Sequence, residues 1–207
     1  MPALTLGDIR LVPLNWVNGV KLAEVHERNR QWIGTWEATD DSARPVRSRS
    51  GAVRAYLGYV TRSRREAAAG TCLPWVIEVG GQVVGHVVIG HITGPGSHSG
   101  TLGYWVDERH AGRGIVPAAA AMAFDYAVGP AGLHRVEAAI HPDNQRSLAV
   151  VAKLGFRDEG IRARYLLVAG EWTDHRIYAL TKEEVPEGLV HRWQSRHQGG
   201  EDRVGGT

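Results

Sequence analysis

Apolar residues occur along the chain in short runs separated by polar or glycine-rich turns, a pattern typical of β-strands. The clearest pair, Leu73–Val79 and residues 82–89, flanks a Gly-Gly turn and therefore predicts a hairpin. A third run places Leu102, Tyr104 and Val106 on one strand face. In chain order the predicted strands are residues 4–12, 73–79, 82–89, 101–106, 133–141, 157–168 and 171–180.

Four stretches have the periodicity or the end signals of helices. Residues 16–29 and 46–69 carry apolar residues at helical spacing, and an aromatic loop over residues 29–37 lies between them. A third helix runs through Pro117 to Phe124. A fourth lies between Asn144, a good N-cap, and Gly155, a good helix stop.

The order of these elements predicts an α+β fold: a strand, two helices, three strands, a helix, a strand, a helix and a two-strand hairpin. The mixed central sheet has about seven strands in this prediction. No internal repeat or second domain is visible. We predict one domain over residues 1–185 and a polar tail over 186–207, disordered from Gln198 onward.

Composition narrows the classes of protein to which the chain can belong. The 207 residues are 43% hydrophobic and 22% charged, which suits one globular domain with a sizeable core. The single cysteine, Cys72, excludes a disulfide framework within the chain and predicts a reducing compartment. No signal peptide or transmembrane stretch is evident. We therefore expect a soluble, cytoplasmic protein without a membrane partner.

Charge is unevenly distributed along the chain. The net charge of +2 argues against a nucleic-acid footprint over the whole surface. One segment is strongly basic, which predicts either a solvated helix face or a contact with an acidic partner such as ribosomal RNA. Its arginines are Arg44, Arg47, Arg49, Arg54, Arg62, Arg64 and Arg65.

The turn after the strand at residues 101–106 carries the candidate chemistry. Arg109, Gly112 and Gly114 stand in the spacing Arg-x-x-Gly-x-Gly directly before a helix. Glycines and the unpaired N–H groups of a helix start form a site for a phosphate-like anion. A Walker loop is excluded because Ile115 follows Gly114 where Lys is required, and a dinucleotide fingerprint lacks its third glycine, since Pro117 stands there.

The remaining interpretation rests on two motifs. The Arg109-x-x-Gly112-x-Gly114 turn resembles the pyrophosphate loop of the GNAT superfamily of N-acetyltransferases. The later combination of Asn144-x-x-Ser147 with Leu154-Gly155-Phe156 is similar to the second half of the same acetyl-CoA-binding fold. The resemblance implies the GNAT fold, with a splay between the fourth and fifth strands, and acetyl-CoA as the acetyl donor.

Within that superfamily the chain resembles the RimJ/RimL type of ribosomal-protein N-terminal acetyltransferases, RimJ more than RimL. The resemblance extends from about residue 6 to residue 180. It implies an acetyl-CoA-dependent enzyme that acetylates a protein N-terminal α-amine, a ribosomal protein being the candidate acceptor, by direct attack in a ternary complex. The motifs that carry it are Asn29-Arg30-x-Trp32-x-x-x-Trp36-Glu37, Leu102-Gly103-Tyr104-Trp105, Leu133-His134-Arg135 and Tyr165-Leu166-Leu167-x-x-Gly170-x-Trp172-x-Asp174-His175.

The resemblance also implies roles for individual residues. The backbone N–H of Val106 or of a neighbouring residue would bind the thioester oxygen, and Ser147 would donate a hydrogen bond to the departing thiolate. Trp32, Trp36 and Glu37 would bind the acceptor, and for Trp32 and Trp36 plugging the core is the alternative. The cofactor-binding residues implied are Tyr104, Trp105, Val106, Arg109, Gly112, Arg113, Gly114, Ile115, Val116, Asn144 and Ser147.

The general base is open at this point. The resemblance to RimL-type enzymes implies a glutamate as base just after the pair Glu159-Gly160, but here residues 163–166 contain no carboxylate. The candidate bases are Glu37, Glu78, Glu137 and Tyr165, with Glu37 favoured because an apolar pocket beside tryptophans raises the pKa of a carboxyl group. Ser147, Glu37 and Tyr165 are the predicted catalytic residues.

Other functions also fit the sequence. One is acetylation of a small amine such as an aminoglycoside or polyamine, for which Glu37, Asp40 and Asp41 permit an acidic cleft. Another is an assembly factor that binds RNA through residues 44–65, with catalysis secondary. No metal site is expected, because neither Cys-x-x-Cys nor a paired histidine motif occurs. The predicted oligomeric state is a monomer or homodimer.

Overall fold

The computed structural model describes residues 1–38 and 49–201. It contains one sheet in the order β1-β2-β3-β4-β5-β6-β8-β7. The strands are β1 (Leu4–Leu6), β2 (Ile9–Pro13), β3 (Leu73–Val79), β4 (Gln82–Gly90), β5 (Ser99–Val106), β6 (Arg135–Ile140), β7 (Arg157–Val168) and β8 (Glu171–Thr181). All neighbouring pairs are antiparallel except β5 and β6. The predicted α+β fold with a mixed, mostly antiparallel sheet is confirmed.

Helices cover both faces of the sheet. They are α1 (Trp16–Arg28), α2 (Arg30–Gly34), α3 (Arg49–Ala68), α4 (Ile115–Val128), α5 (Gln145–Leu154) and α6 (Leu189–Glu201). The apolar α4 is buried almost all round in the main core with Trp75, Leu102 and Val106. The opposite face holds a smaller core between α1, α3 and the sheet, centred on Leu22, Val60 and Val76.

The first strand differs from the prediction. Residues 4–12 form two antiparallel strands instead of one, because the chain reverses at Gly7 and Asp8. Gly7 has a φ of +61°, a backbone conformation that a glycine adopts without steric cost. The sheet therefore has eight strands where about seven were expected.

Two segments predicted without regular structure contain helices. The aromatic loop at residues 29–37 includes α2. The start of the predicted tail includes α6, where Leu189 is fully buried and the Asp125 carboxylate accepts hydrogen bonds from the N–H groups of Leu189 (2.6 Å) and Val190 (3.0 Å). A carboxylate on α4 thus caps the last helix.

Several predictions fall on residues that the structure does not describe. The start of the second predicted helix, the acids Asp40 and Asp41 and the arginines Arg44 and Arg47 lie outside the described residues, as do residues 202–207. None of the helices in residues 1–38 and 49–201 combines the length and apolar character that crossing a bilayer requires.

Candidate functional site

A gap between β5 and β6 forms the centre of the site. The two parallel strands pair only through three positions, the last being Thr101 opposite Glu137. Beyond that point β5 stays paired with β4 as far as Val106, while β6 stays paired with β8 as far as Ile140. The strands therefore splay apart, and a cleft of about 1560 Å³ opens along their ends.

The backbone of Val106 faces this gap. In an antiparallel pair, successive residues direct their N–H and C=O groups alternately toward and away from the partner strand. The N–H of Asp107 donates to Val84 of β4 at 2.7 Å, so the neighbouring Val106 directs its N–H toward β6. Pairing with β6 has already ended there, and a ligand in the gap can accept this hydrogen bond.

The turn between β5 and α4 presents a second set of N–H groups. Gly112 and Gly114 have φ values of +78° and +74°, and an added Cβ at Gly112 would meet nothing within 4 Å. Gly114 is the N-cap of α4, and no side chain caps the helix or places an acid in its first turn. The N–H groups of Ile115 and Val116 thus remain open to an anion. We call Gly112–Val116 together with Asn144 and Ser147 the loop side of the cleft.

Side chains from α1 and α2 hold this turn in place. Arg28 donates to the Asp107 carboxylate (2.5 Å), and Asn29 Oδ1 accepts from the Glu108 N–H (3.0 Å). Trp32 Nε1 donates to the Val106 carbonyl oxygen (3.2 Å). Burial raises the pKa of Asp107, but the hydrogen bonds from Arg28 and its neighbours outweigh burial and lower the pKa below 3.8. A charged, anchored carboxylate therefore fixes the end of β5.

The start of α5, the helix that follows β6, borders the other side of the gap. Asn144 caps α5 by accepting a hydrogen bond from the Ser147 N–H at 3.1 Å. The Tyr104 hydroxyl reaches across from β5 and donates to the Ser147 carbonyl oxygen at 3.3 Å. Burial raises the pKa of Tyr104, and hydrogen bonding with Ser147 opposes the rise. The hydroxyl therefore stays protonated and able to donate.

The sheet face away from α4 lines the rest of the cleft, with residues from α1, α2, α3, β4, β5, β6 and β8 and from the turns after α2 and β6. The His26 Nε2 atom lies 3.0 Å from a Glu37 oxygen, and the His26 ring packs edge-on against Trp105 at 5.4 Å between centroids. We call this the histidine side of the cleft. It comprises His26, Trp36, Glu37, Trp105, His141 and His175.

Comparison with known proteins agrees with this geometry. Residues 9–157 match the family model described as the acetyltransferase (GNAT) domain, which is more than half of the chain. The chain belongs to the GNAT family of acetyltransferases.

Individual relatives extend the match. A structure of Mycobacterium smegmatis RimJ in complex with CoA-disulfide superposes with a TM-score of 0.84 at 34% identity, over 91% of this chain and 89% of that one. The ribosomal protein uS5-alanine N-acetyltransferase of Escherichia coli is 29% identical over 171 residues, 81% of this chain and 84% of that protein. The probable N-acetyltransferase YjcK of Bacillus subtilis is 34% identical over 99 residues, 48% of this chain and 55% of that protein.

In this GNAT enzyme most of the predicted site residues line one cleft. Three do not: Arg109 and Arg113 are exposed beside the glycine turn, and Tyr165 lies on β7 next to His175, with 6.3 Å between ring centroids. The predicted residues that line the cleft are Trp32, Trp36, Glu37, Tyr104, Trp105, Val106, Gly112, Gly114, Ile115, Val116, Asn144 and Ser147.

Two of the four candidate bases lie away from the cleft in ion pairs. A Glu78 oxygen lies 3.8 Å from Arg10, and Glu137 pairs with Arg135 (2.9 Å) and Arg162 (3.3 Å). Neither side chain is among those that line the cleft. Glu37 is the candidate carboxylate that the GNAT cleft contains.

Sequence reasoning missed the histidines of this face. His26, His86, His141 and His175 line the cleft, although they lie far apart in sequence. Burial and the nearby His26 lower the pKa of His86 to about 3, so this residue is neutral. The one available signal was His175 in the Asp174-His175 pair. Within the described residues no group of three or more His, Cys, Asp or Glu side chains forms a metal site.

Proposed function

We propose that the protein uses acetyl-CoA to acetylate the N-terminal α-amine of a protein, and that a ribosomal protein is its acceptor in the cytoplasm. The relative from E. coli is named for alanine acetylation of ribosomal protein uS5, and the M. smegmatis RimJ structure contains a CoA-disulfide. One observation carries the proposal: the gap between β5 and β6 lies next to the start of α4. The Val106 N–H faces this gap, and the start of α4 follows two glycines and has no side-chain cap.

The loop side fits a long, anionic cofactor. The N–H groups of Gly112 to Val116 would hold the pyrophosphate, because the glycines leave room for it and the helix dipole favours negative charge. Arg109 and Arg113 would add charge from the rim. The free edge of β5 between Leu102 and Val106 would pair with the pantetheine amides as a neighbouring strand does.

Bound acetyl-CoA would supply an activated acetyl group, and the residues around the gap would stabilise its transfer. The Val106 N–H would donate to the carbonyl oxygen as negative charge develops there during direct attack by the amine. Ser147, beside the Tyr104 hydroxyl, would stabilise the departing thiolate. Trp32 holds the Val106 carbonyl oxygen, on the peptide unit next to the one that carries this N–H, and so helps to fix the end of β5.

An α-amine needs less help from the site to lose its proton than a lysine side chain does. At pH 7 about a tenth of an α-amine with a pKa near 7.7–8.0 is neutral, against about one in 2,500 of lysine, a difference near 3–4 kcal/mol. Glu37 is 47% exposed and bound to His26, so it can attract the ammonium group at the cleft mouth. Trp32 and Trp36 would pack against the first side chain of the acceptor.

An acceptor panel tests the proposal. Peptides with free Ala, Ser or Met N-termini are compared with the same peptides N-terminally blocked and containing lysine, and with aminoglycosides and polyamines. Thiol release is followed, and mass spectrometry locates the acetyl group. We expect acetylation of free N-termini. Acetylation of lysine or small amines alone would reject the α-amine assignment, and no thiol release with any amine would reject the activity.

A further inference from the structure

His175 stands out among the cleft histidines by its surroundings. It lies on β8 just beyond the last pair with β6, and only 2% of its surface is exposed. Its ring packs at 90° to that of His141, with centroids 5.8 Å apart. Both rings line the cleft on the same sheet face as Trp105.

The hydrogen bond of His175 defines its tautomer. Nδ1 lies 3.1 Å from the Thr173 carbonyl oxygen, which can only accept, so Nδ1 carries the hydrogen. In the neutral ring Nε2 then keeps its lone pair. Among the described residues, His175 Nε2 has no hydrogen-bond partner. His86 Nε2 also lacks a partner and is sealed from solvent, whereas His175 Nε2 is not sealed. The lone pair is therefore accessible from the cleft.

His141 has the opposite tautomer. Its Nδ1 accepts a hydrogen bond from the Asp143 N–H at 3.2 Å, so in the neutral ring Nε2 carries the hydrogen. Trp36 packs against this ring at 5.5 Å between centroids. The two neighbouring rings, with centroids 5.8 Å apart, thus offer one donor and one acceptor nitrogen.

The histidine pair lies level with the proposed oxyanion donor. Thr101 pairs with Glu137, and five residues further along the two parallel strands stand Val106 and Pro142. Helix α2 and the turn after it span the gap at this level, because Trp32 of the helix contacts Val106 and Trp36 of the turn contacts His141. A carbonyl group at Val106 and the histidine pair therefore lie at the same level of the cleft.

Burial favours the neutral form of His175 at pH 7. Burial lowers the pKa of His175 below 6.5; the Thr173 carbonyl and Asp174 oppose this effect, and His141 adds to it. The other ionisable groups facing it are on β7: Tyr165 packs against the ring, and Arg162 is its cross-strand neighbour. The other histidines of the cleft are less suitable, since His26 Nε2 is bound to Glu37 and His86 is sealed.

We propose that His175 Nε2 accepts the proton that the acceptor amine loses. His141 is a positioning residue, whose Nε2–H donates to the water through which this proton can pass. This inference rests on the acetyltransfer proposed above. As the N–C bond forms and the C–S bond breaks, the proton leaves the amine nitrogen for Nε2, directly or through one water held by the Nε2–H of His141. The sulfur leaves with the C–S electron pair and takes a proton from solvent. His175 then returns its proton to solvent, so the step balances.

The test compares wild-type enzyme with His175→Asn, which keeps a donor for the Thr173 carbonyl and removes Nε2. The matched control is His191→Asn, an exposed histidine of α6. We expect H175N to bind acetyl-CoA normally and to lose about 100-fold in kcat, with imidazole restoring part of the rate. Below pH 6.5 the wild-type kcat/KM should fall with protonation of both the acceptor amine and His175, and in H175N only the fall caused by the amine should remain. A purely structural role would move neither of the last two readouts.

The outcomes separate the two proposals. An inactive wild-type enzyme would reject the acetyltransfer itself, before any variant is compared. Normal kcat and an unchanged acidic limb in H175N would reject the role of His175. If H175N lost acetyl-CoA binding, His141→Asn decides: removing that neighbour should move the acidic limb to higher pH, and an unmoved limb would overturn the inference.

Discussion

The two sides of the cleft are built in different ways. The loop side takes most of its binding groups from the backbone of one contiguous turn, Gly112–Val116, at the start of α4. The histidine side collects side chains from five separate segments of the chain, between His26 and His175. The difference shows that a fixed ligand such as a cofactor can be recognised by local backbone geometry, whereas the acceptor surface depends on how distant parts of the chain pack.

Chemistry differs between the sides as well. The loop side offers N–H groups and exposed cations, which suit phosphate. The histidine side offers aromatic rings, one carboxylate and imidazoles, among which burial lowers the pKa of His175, and these groups suit an amine that must lose a proton. Substitutions on the two sides should therefore separate binding of acetyl-CoA from use of the acceptor.

The largest effect is expected from Gly112→Val. Valine at a φ of +78° is strained, and its side chain points into open space that the pyrophosphate would fill. We expect acetyl-CoA to bind about 100-fold more weakly, the equivalent of about 2.7 kcal/mol. Isothermal titration calorimetry measures this. Gly96→Val, with a φ of +97° in an exposed loop, is the control for backbone strain and should bind normally.

Asp107→Asn tests the anchor beneath the loop side. Loss of the charged hydrogen bond from Arg28 should lower the free energy of unfolding by about 1–3 kcal/mol at pH 7. Because the folded state depresses the pKa of Asp107, its stabilisation is present above pH 3.8 and is lost as pH falls through the folded pKa. Urea unfolding at several pH values should show the difference from wild type shrinking in acid; a constant difference would contradict this. Asp8→Asn is the surface control.

Trp32→Phe tests the link between the sides. It keeps the ring under Arg146, which stacks at 4.0 Å, but removes the N–H that holds the Val106 carbonyl. We expect kcat to fall about 3- to 10-fold, as for the loss of one hydrogen bond of roughly 1 kcal/mol, with acetyl-CoA affinity nearly unchanged. Steady-state kinetics measure both. The exposed Trp172→Phe should behave as wild type, and an equal loss there would point to a general effect of removing indole groups.

The smallest effect is expected from Arg113→Gln. An exposed cation at the rim contributes little in water and is screened by salt. Acetyl-CoA affinity should fall about 2- to 5-fold at low salt and match wild type at high salt. Arg10→Gln, on β2 away from the cleft, should show no change at either salt concentration. A salt-independent loss in R113Q would mean a specific, buried contact.

Local sequence signals predicted most of the fold. The hairpin of β3 and β4, the glycine turn before α4 and the cap of α5 by Asn144 follow from residues close together in the chain, and all are present. The reversal at Gly7 was missed because a single Gly-Asp step within an apolar run is a weak turn signal.

Features that depend on long-range packing could not be predicted. Arg28 and Asp107 form an ion pair although 79 positions separate them. The start of α6 lies in a polar, glycine-rich segment and has no local signal. Its capping group, Asp125, lies on another helix. The convergence of His141 and His175 likewise follows from the pairing of β6 with β8, which no local pattern specifies.

A crystal structure with a bisubstrate analogue tests the account most directly. In this analogue an acetyl bridge joins coenzyme A to the N-terminal nitrogen of an alanine peptide. We expect its pyrophosphate on Gly112–Val116, its carbonyl oxygen about 2.7–3.1 Å from the Val106 nitrogen, and its peptide leaving between Trp36 and His175. A peptide that leaves on the α4 face, or a carbonyl group away from Val106, would contradict the division of the cleft into a cofactor side and an acceptor side.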